Sequence, residues 1–450
     1  MFTNHSLKTI RNLLFSCIVL MVTTLQAFPA DKPNVLILYT DDQGTLDMNI
    51  YGATDLKTPN MDEIVNSGTK FTQFYAHASC SPSRAMLLTG KTAQRAGVPH
   101  NVGVDNGLPN EQYTMAEMFK EAGYATALIG KWHLGEKEGM LPNDQGFDYF
   151  MGHTKGCIDN YSHFFYWKGP NKHNLYENKE ALFLPGQYFA DIMLEHAEEF
   201  IREKQDHPFF LYYSMNTPHY PYQGTKEWRD YYNDKGVEYP RNLYAAFVST
   251  TDEYIGKLMN IYDKYGLREN TIIILQSDNG HSTEERAHFG GGYTGKFRGA
   301  KASLFEGGIR IPAAISWPAK LPQGQTRDQM CINIDWMPTL AELCNIDLDM
   351  SDLNGKSLIP VIENESAQTP HPEGYYWEKG PSWMVRSGKW KLHHRPRATG
   401  QPGRPHLEID RFLVNLETDP GEQSNLADKH PGIVEELENK YKQWEETENN

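Results

Sequence analysis

Short apolar runs alternate along the chain with longer stretches whose apolar residues recur at helical spacing, and this alternation sets the expected architecture. Residues 34–39 are apolar almost throughout, as expected of a strand buried on both faces of a parallel sheet. Runs of the same kind occupy 124–129, 209–214 and 271–275. Between them the period changes. Met61, Ile64 and Val65 share one face of a helix predicted over 59–67, and Gly68 stops it. Met115, Met118 and Phe119 do the same over 114–122, with Thr114 as cap and Gly123 as stop. Two further helices are expected near 188–203 and 243–265. Strands and helices in this order predict an α/β fold, a large, mixed but mainly parallel sheet sandwiched by helices over residues 31–350. After about residue 350 the texture changes. Residues 383–386 and 389–392 flank Ser387-Gly388, a hairpin signal, then 412–416 reads as a strand and 433–444 as an amphipathic helix. A small antiparallel α+β subdomain is therefore expected over 351–450.

Each of the four apolar strands hands over to polar residues just past its C-terminal end. These are Asp41 and Asp42, Lys131 and His133, His219, and Asp278 with Asn279. Ligands of open α/β sheets bind outside that edge. Taken singly, each pair has an ordinary explanation: Asp-Asp after a strand is commonly a turn or cap, and Asp-Asn-Gly a turn. Together they bring three carboxylates and an amide oxygen to one place, which is repulsive unless a cation neutralises them. All-oxygen donors suit calcium or magnesium rather than zinc. Calcium tolerates irregular geometry and is preferred here.

Cys80-Ser81-Pro82-Ser83-Arg84, continuing to Leu88-Thr89-Gly90, is unusual packing material. Pro82 disfavours helical geometry at Ser81, so a buried helix is expected from Ala85, with Cys80 near its electropositive end. An isolated Cys in such a place is ordinarily structural. This stretch, however, resembles residue for residue the signature of the type I sulfatases, the formylglycine-dependent branch of the alkaline phosphatase superfamily. The resemblance runs in ordered blocks through 31–346, including Gly130-Lys131-Trp132-His133-Leu134-Gly135, Thr217-Pro218-His219 and 335–340, and more loosely through 385–392 and 416–422.

The resemblance implies that Cys80 is oxidised to formylglycine before folding, and that one hydroxyl of the hydrated aldehyde attacks sulfur. It implies that Asp41, Asp42, Asp278 and Asn279 hold calcium together with the residue-80 oxygen. Arg84 and Lys131 would position the hydrate, and Lys131 and Lys301 would hold sulfate oxygens. His219, helped by Lys301, would protonate the departing alcohol, and His133 would take the proton of the second hydroxyl. A formylglycine-generating maturation enzyme is the implied partner. Two other classes compete. A phosphatase or phosphodiesterase of the same fold is disfavoured by Cys80 with Pro82 and Arg84, and a non-catalytic binder of sulfated glycans by the full cationic set.

The loop from Cys157 to His163 resembles that of N-acetylgalactosamine-4-sulfatase-like arylsulfatases. This points to a galacto-configured sulfate, on a carrageenan-type galactan or a glycosaminoglycan, with Tyr161 and His163 as candidate substrate contacts. Tyr161, Phe164, Phe165, Tyr166 and Trp167 are candidate platforms for pyranose rings. Arg298, three residues before Lys301, is a further candidate contact.

Composition narrows the partners. The 450-residue chain carries a formal charge of -15, which does not suit nucleic acid or anionic membrane and requires any anion site to be a local basic pocket. Lys8 and Arg11 precede an apolar run over 13–25, with small residues at Ala27 and Ala30. This reads as a cleavable signal peptide over 1–30, too short for a membrane span, and predicts a secreted or periplasmic protein. Cys17 lies early in the run, which favours cleavage over lipid attachment. No later stretch is apolar enough to cross a bilayer. Besides Cys80, the remainder holds Cys157, Cys331 and Cys344, an odd count that argues against a disulfide framework but leaves a Cys331–Cys344 bridge open.

Overall fold

The computed structural model describes residues 32–167, 170–397 and 409–448; the predicted signal peptide over 1–30 lies outside them. Seven strands of an eleven-stranded sheet concern the site: β1 (Asn34–Thr40), β2 (Thr69–Tyr75), β3 (Ala125–Lys131), β4 (Tyr149–His153), β5 (Phe209–Ser214), β6 (Thr271–Ser277) and β7 (Arg310–Ser316). Their order is β2-β7-β6-β1-β5-β3-β4. The run from β6 to β4 is parallel throughout, and β7 is antiparallel to both its neighbours. Strands β1, β5 and β6 are buried along their whole length. Burial on both faces is why they read as unbroken apolar runs rather than as alternation.

Alternate residues of β1 serve opposite layers. Leu36 and Leu38 join a core with α1 (Pro59–Asn66), α4 (Phe189–Lys204) and α5 (Arg241–Lys264). Val35 and Ile37 join one with α2 (Cys80–Thr89), α3 (Met115–Glu121) and α6 (Trp336–Leu343). Thr114 caps α3 as expected: its hydroxyl accepts the Glu117 N–H at 3.1 Å, and the Glu117 carboxylate accepts the Thr114 N–H at 2.8 Å. The start of α2 differs from expectation. It begins at Cys80, because Pro82 sits in the first turn, where a missing N–H forfeits no intrahelical bond. The strands also run past their apolar stretches, so Lys131 is itself the last residue of β3.

The C-terminal region forms a four-stranded antiparallel sheet, β8 (Tyr375–Lys379), β9 (Ser382–Ser387), β10 (Trp390–His394) and β11 (Arg411–Asn415). Helix α7 (Pro431–Glu448) covers it through Val434, Leu437 and Tyr441, packed with Val385, Leu392 and Leu413. Tyr75 and Met86 of the main body share a core with Trp377 and Met384 of this sheet. Buried Lys391 adds an ionic tie, 2.8 Å from Glu306 and 2.9 Å from Glu422. Cys331 and Cys344 are buried and neither is in a disulfide, so the bridge left open by the sequence is not formed. Among the described residues no helix is long and apolar enough to cross a membrane.

Candidate active site

The parallel strands deliver their polar residues to one edge, and hydrogen bonds between the loops hold them there. The Asp42 N–H donates to Asp278 Oδ1 at 3.0 Å, with Asp42 at φ 62, a left-handed conformation that Asp adopts more readily than most residues. Cys80, the first residue of α2, sets its Sγ 3.6 Å from Asp41 Oδ1 and 3.9 Å from Asp42 Oδ1. Arg84 lies one turn on, on the same helix face. Its Nη2 donates to Asp278 Oδ2 at 3.1 Å, and its Nη1 to Ser214 Oγ at 2.5 Å and the Lys131 carbonyl at 3.2 Å. Lys131 Nζ donates to Asp41 Oδ2 at 2.6 Å and Lys301 Nζ to Asp42 Oδ2 at 2.8 Å. His219 Nε2 stands 3.5 Å from Asp42 Oδ2, while its Nδ1 pairs with the Tyr220 carbonyl at 2.6 Å.

All of these groups but Lys301, which is partly exposed, are buried, and burial shapes their proton affinities. Burial, with Asp41 beside it, pushes the Asp278 carboxyl up to about 7. Burial would raise Asp41 too, but Lys131, His219 and Arg84 outweigh it and hold that carboxyl well below the usual range. Burial and Asp278 lift the Cys80 thiol well above its ordinary value, so an unmodified Cys80 is a thiol and not a thiolate nucleophile. Burial, Lys131 and Arg84 push His133 far down, which keeps its ring neutral. His219 is lowered by burial and pulled back by Asp42.

The same residues fit a cation. Asp41, Asp42, Asp278 and Cys80 each offer a ligand atom, and those atoms lie within 4.8 Å of one another. Asn279 donates through Nδ2 to Asp42 Oδ1 at 2.7 Å, and its buried Oδ1 has no hydrogen-bond partner. A buried acceptor left over beside three carboxylates is where a hard cation completes the set.

A cavity of about 360 Å³ opens over Cys80, His133, His219 and Lys301. Phe165, Trp167 and Tyr220 form its aromatic wall, with Glu136, Lys155 and Glu284 among them. The wall is a stack continuous with the site. His219 and Tyr220 rings lie 4.1 Å apart, Tyr220 and Trp167 5.8 Å, and the Arg286 guanidinium caps Trp167 at 4.6 Å. The Tyr220 hydroxyl donates to Glu284 Oε2 at 2.5 Å.

The structure thus brings together Cys80, Arg84, Lys131, His133, His219 and Lys301 with Asp41, Asp42, Asp278 and Asn279. It places the three candidate substrate contacts elsewhere, and none of them lines this cavity. Tyr161 packs its ring against Tyr188 at 5.0 Å. His163 is buried with Nε2 at the Gln187 carbonyl, 3.1 Å away, and so packs its own loop. Arg298 lies over the rings of Phe305 and Phe412 and donates to the Glu422 carbonyl at 3.0 Å, which ties it to the C-terminal sheet. Tyr220, Glu136, Lys155 and Glu284 are cavity residues that sequence reasoning missed. Only Tyr220 carried a signal, as the residue directly after Thr217-Pro218-His219.

The family model described as Sulfatase matches residues 33–346, and the one described as N-sulphoglucosamine sulphohydrolase, C-terminal, matches 295–447. Arylsulfatase A of Homo sapiens is 31% identical over 446 residues, which cover 91% of this chain and 86% of that protein. The N-acetylgalactosamine-6-sulfatase of Canis lupus familiaris is 31% identical over 417 residues, covering 84% and 74%. Among solved structures, Ps i-CgsB in complex with k-i-k-neocarrahexaose superposes with a TM-score of 0.81 at 26% identity, covering 92% of this chain and 93% of that one.

Proposed function

The chain belongs to the sulfatase family, type I members of the alkaline phosphatase superfamily, and from that premise we propose how its site works and on what. It is a sulfuric ester hydrolase. Its substrate is a sulfate monoester on a carbohydrate, and the galacto-configured class is favoured: one relative acts on N-acetylgalactosamine-6-sulfate by its name, and one solved relative holds a neocarrahexaose. The cavity wall suits a sugar, because Phe165, Trp167 and Tyr220 line it with apolar ring surface next to His219.

Cys80 enters the reaction as formylglycine, whose hydrated aldehyde supplies a hydroxyl nucleophile that can be regenerated after transfer. Asp41, Asp42, Asp278 and Asn279 would hold a calcium ion, preferred to magnesium, which lowers the pKa of that hydroxyl and offsets charge on the sulfate. The remaining work falls to side chains. Arg84 fixes Asp278 and braces the Lys131 carbonyl, so it orients the floor of the site. Lys131 and Lys301 present ammonium groups beside Asp41 and Asp42, where they meet sulfate oxygens and stabilise charge that grows in the transition state. His219, its Nδ1 anchored at the Tyr220 carbonyl, delivers a proton from Nε2 to the leaving alcohol oxygen. His133, kept neutral, would take the proton of the second hydroxyl of the hydrate, so that the aldehyde reforms as sulfate leaves.

The observation that carries this reading is the Sγ of Cys80 within 4 Å of two buried carboxylates that are themselves bound by Lys131 and Lys301. The test is sulfate release from a panel of defined sulfated oligosaccharides, with peptide mass spectrometry at residue 80. Turnover by protein carrying only the unmodified thiol overturns the nucleophile. Preference for glucose- or fucose-based sulfates overturns the galacto assignment. Export to the periplasm or beyond, with removal of 1–30, belongs to the same proposal and is read from the N-terminus of native material.

A further inference from the structure

A second cavity lies on the C-terminal side of the Lys301 loop. Lys301 lines the first cavity and the next residue, Ala302, lines the second. The Ala302 N–H donates to the Ala78 carbonyl at 2.7 Å, two residues before Cys80, so the loop that separates the cavities is pinned to the start of α2. The second cavity measures about 130 Å³, far more than the roughly 10–15 Å³ that one water needs. Its walls include Phe305 from the main body, Lys379, Trp383, His393 and His394 from the C-terminal sheet, and Arg397 just past the end of β10.

Charge here runs against the character of the molecule. The chain is strongly acidic, yet this cavity is lined by two permanent cations and two imidazoles, with no carboxylate. Among the described residues Lys379 and Arg397 form no ion pair with an acid. Lys379 Nζ donates to Ser79 Oγ at 3.1 Å, directly before Cys80. Burial lowers its pKa, as expected of an ammonium held from water without a counter-charge. His393 uses Nε2 on Glu422 at 2.9 Å and keeps a buried Nδ1 with no hydrogen-bond partner. Trp383 and His394 stack with ring centres 5.1 Å apart and planes 16° from parallel.

We propose that this cavity is a second anion subsite. It takes a further oxyanion, a sulfate ester or a carboxylate, borne by the same oligosaccharide whose reacting ester lies over Cys80. The inference rests on the reading of the chain as a carbohydrate sulfatase. An anion seated here supplies the counter-charge that Lys379 and Arg397 lack among the described residues, through charge-assisted hydrogen bonds. A substrate with one anionic group satisfies only the first cavity, and a substrate with two satisfies both.

The test uses the converted, calcium-loaded enzyme and three probes: 4-nitrocatechol sulfate, a disulfated disaccharide, and a disaccharide with one sulfate and one carboxylate. The readout is the ratio of kcat/KM on each dianionic probe to that on the aryl sulfate, in the parent protein, Arg397→Gln and Lys379→Gln. Arg397 is exposed, so its variants keep the fold. The expected result is a ratio about tenfold lower in each variant, largely restored in Arg397→Lys. Loss on the disulfated probe identifies a sulfate subsite, and loss on the carboxylate probe a carboxylate subsite. A ratio that moves less than threefold on both probes in either variant overturns the subsite while the sulfatase reading stands. Absence of sulfate release from all three probes by the parent protein overturns that reading and the subsite with it.

Discussion

The open edge of the parallel sheet and the joint with the C-terminal sheet both bury charge, but they arrange it in different ways. At the joint acids and bases alternate. Lys391 sits between Glu306 and Glu422, His393 lies 2.9 Å from Glu422, and Arg310 lies 3.2 Å from Glu306. Burial alone would raise the Glu306 carboxyl; Lys391, Arg310 and Arg386 outweigh it and hold it well below the usual range. At the edge three carboxylates sit side by side and the cations approach from outside, so Asp278 is pushed up to about 7 and Asn279 Oδ1 is left without a partner. Buried pairing is by itself weak evidence for stability. The contrast is more specific than that: alternation marks a joint that neutralises itself, and crowding of like charge marks a place prepared for one more cation.

The comparison breaks most sharply when each cluster is altered at its centre. Cys80→Ala should lower sulfate release by roughly 10,000-fold or more, the scale on which a lost nucleophile acts. It should barely move the melting temperature, because the Cys80 Sγ makes only long contacts to the carboxylates. Lys391→Met should do the reverse. Removing one partner of a buried pair costs roughly 3–5 kcal/mol, read as a lower urea midpoint, while the folded fraction keeps its kcat on an aryl sulfate. A variant at Lys391 that lost turnover but not stability would show that the two clusters are not separate.

Added cation sharpens the same contrast with a smaller effect. Calcium at 100 times its dissociation constant should stabilise the protein by about 2.7 kcal/mol, measured as a rise in melting temperature over protein in EGTA. The rise should persist in Lys391→Met and disappear in Asn279→Ala. No rise in the parent protein would mean that the crowded edge is not a cation site.

How much of this is legible in the sequence follows from how local each feature is. Strands β1, β5 and β6 announce themselves because burial on both faces leaves unbroken apolar runs, and the residues past their ends mark the edge. The start of α2 is misread because Pro82 looks like a breaker, although a proline in the first turn forfeits nothing. Strand β7 is missed altogether. It carries Pro312, which sits at an irregularity in the pairing with β2 between Ile311 and Ala313, where a proline is tolerated. The joint is invisible beforehand, since Glu306, Lys391 and Glu422 lie far apart in sequence and no local pattern links them. Tyr161 and His163 show a different limit. A loop can resemble a family block, yet only tertiary packing decides which of its side chains face the cavity.

The smallest expected effect probes the joint alone, through acid. Glu306 is held below the ordinary carboxylate range in the folded protein, so its share of stability is complete above the unfolded value of about 4.3. That share is lost as the pH falls from there toward the lower folded value. For this group the melting temperature should therefore be flat through neutrality and decline below about pH 4.5. Lys391 is the largest of the charges that oppose burial at Glu306, so Lys391→Met raises the folded value toward the unfolded one. The acid limb of that variant should be shallower as well as lower, and Glu306→Gln, which cannot titrate, should flatten it in the same way. A Lys391→Met protein that kept the parent's slope would assign the acid-sensitive charge elsewhere and leave the joint a contact of packing rather than of charge.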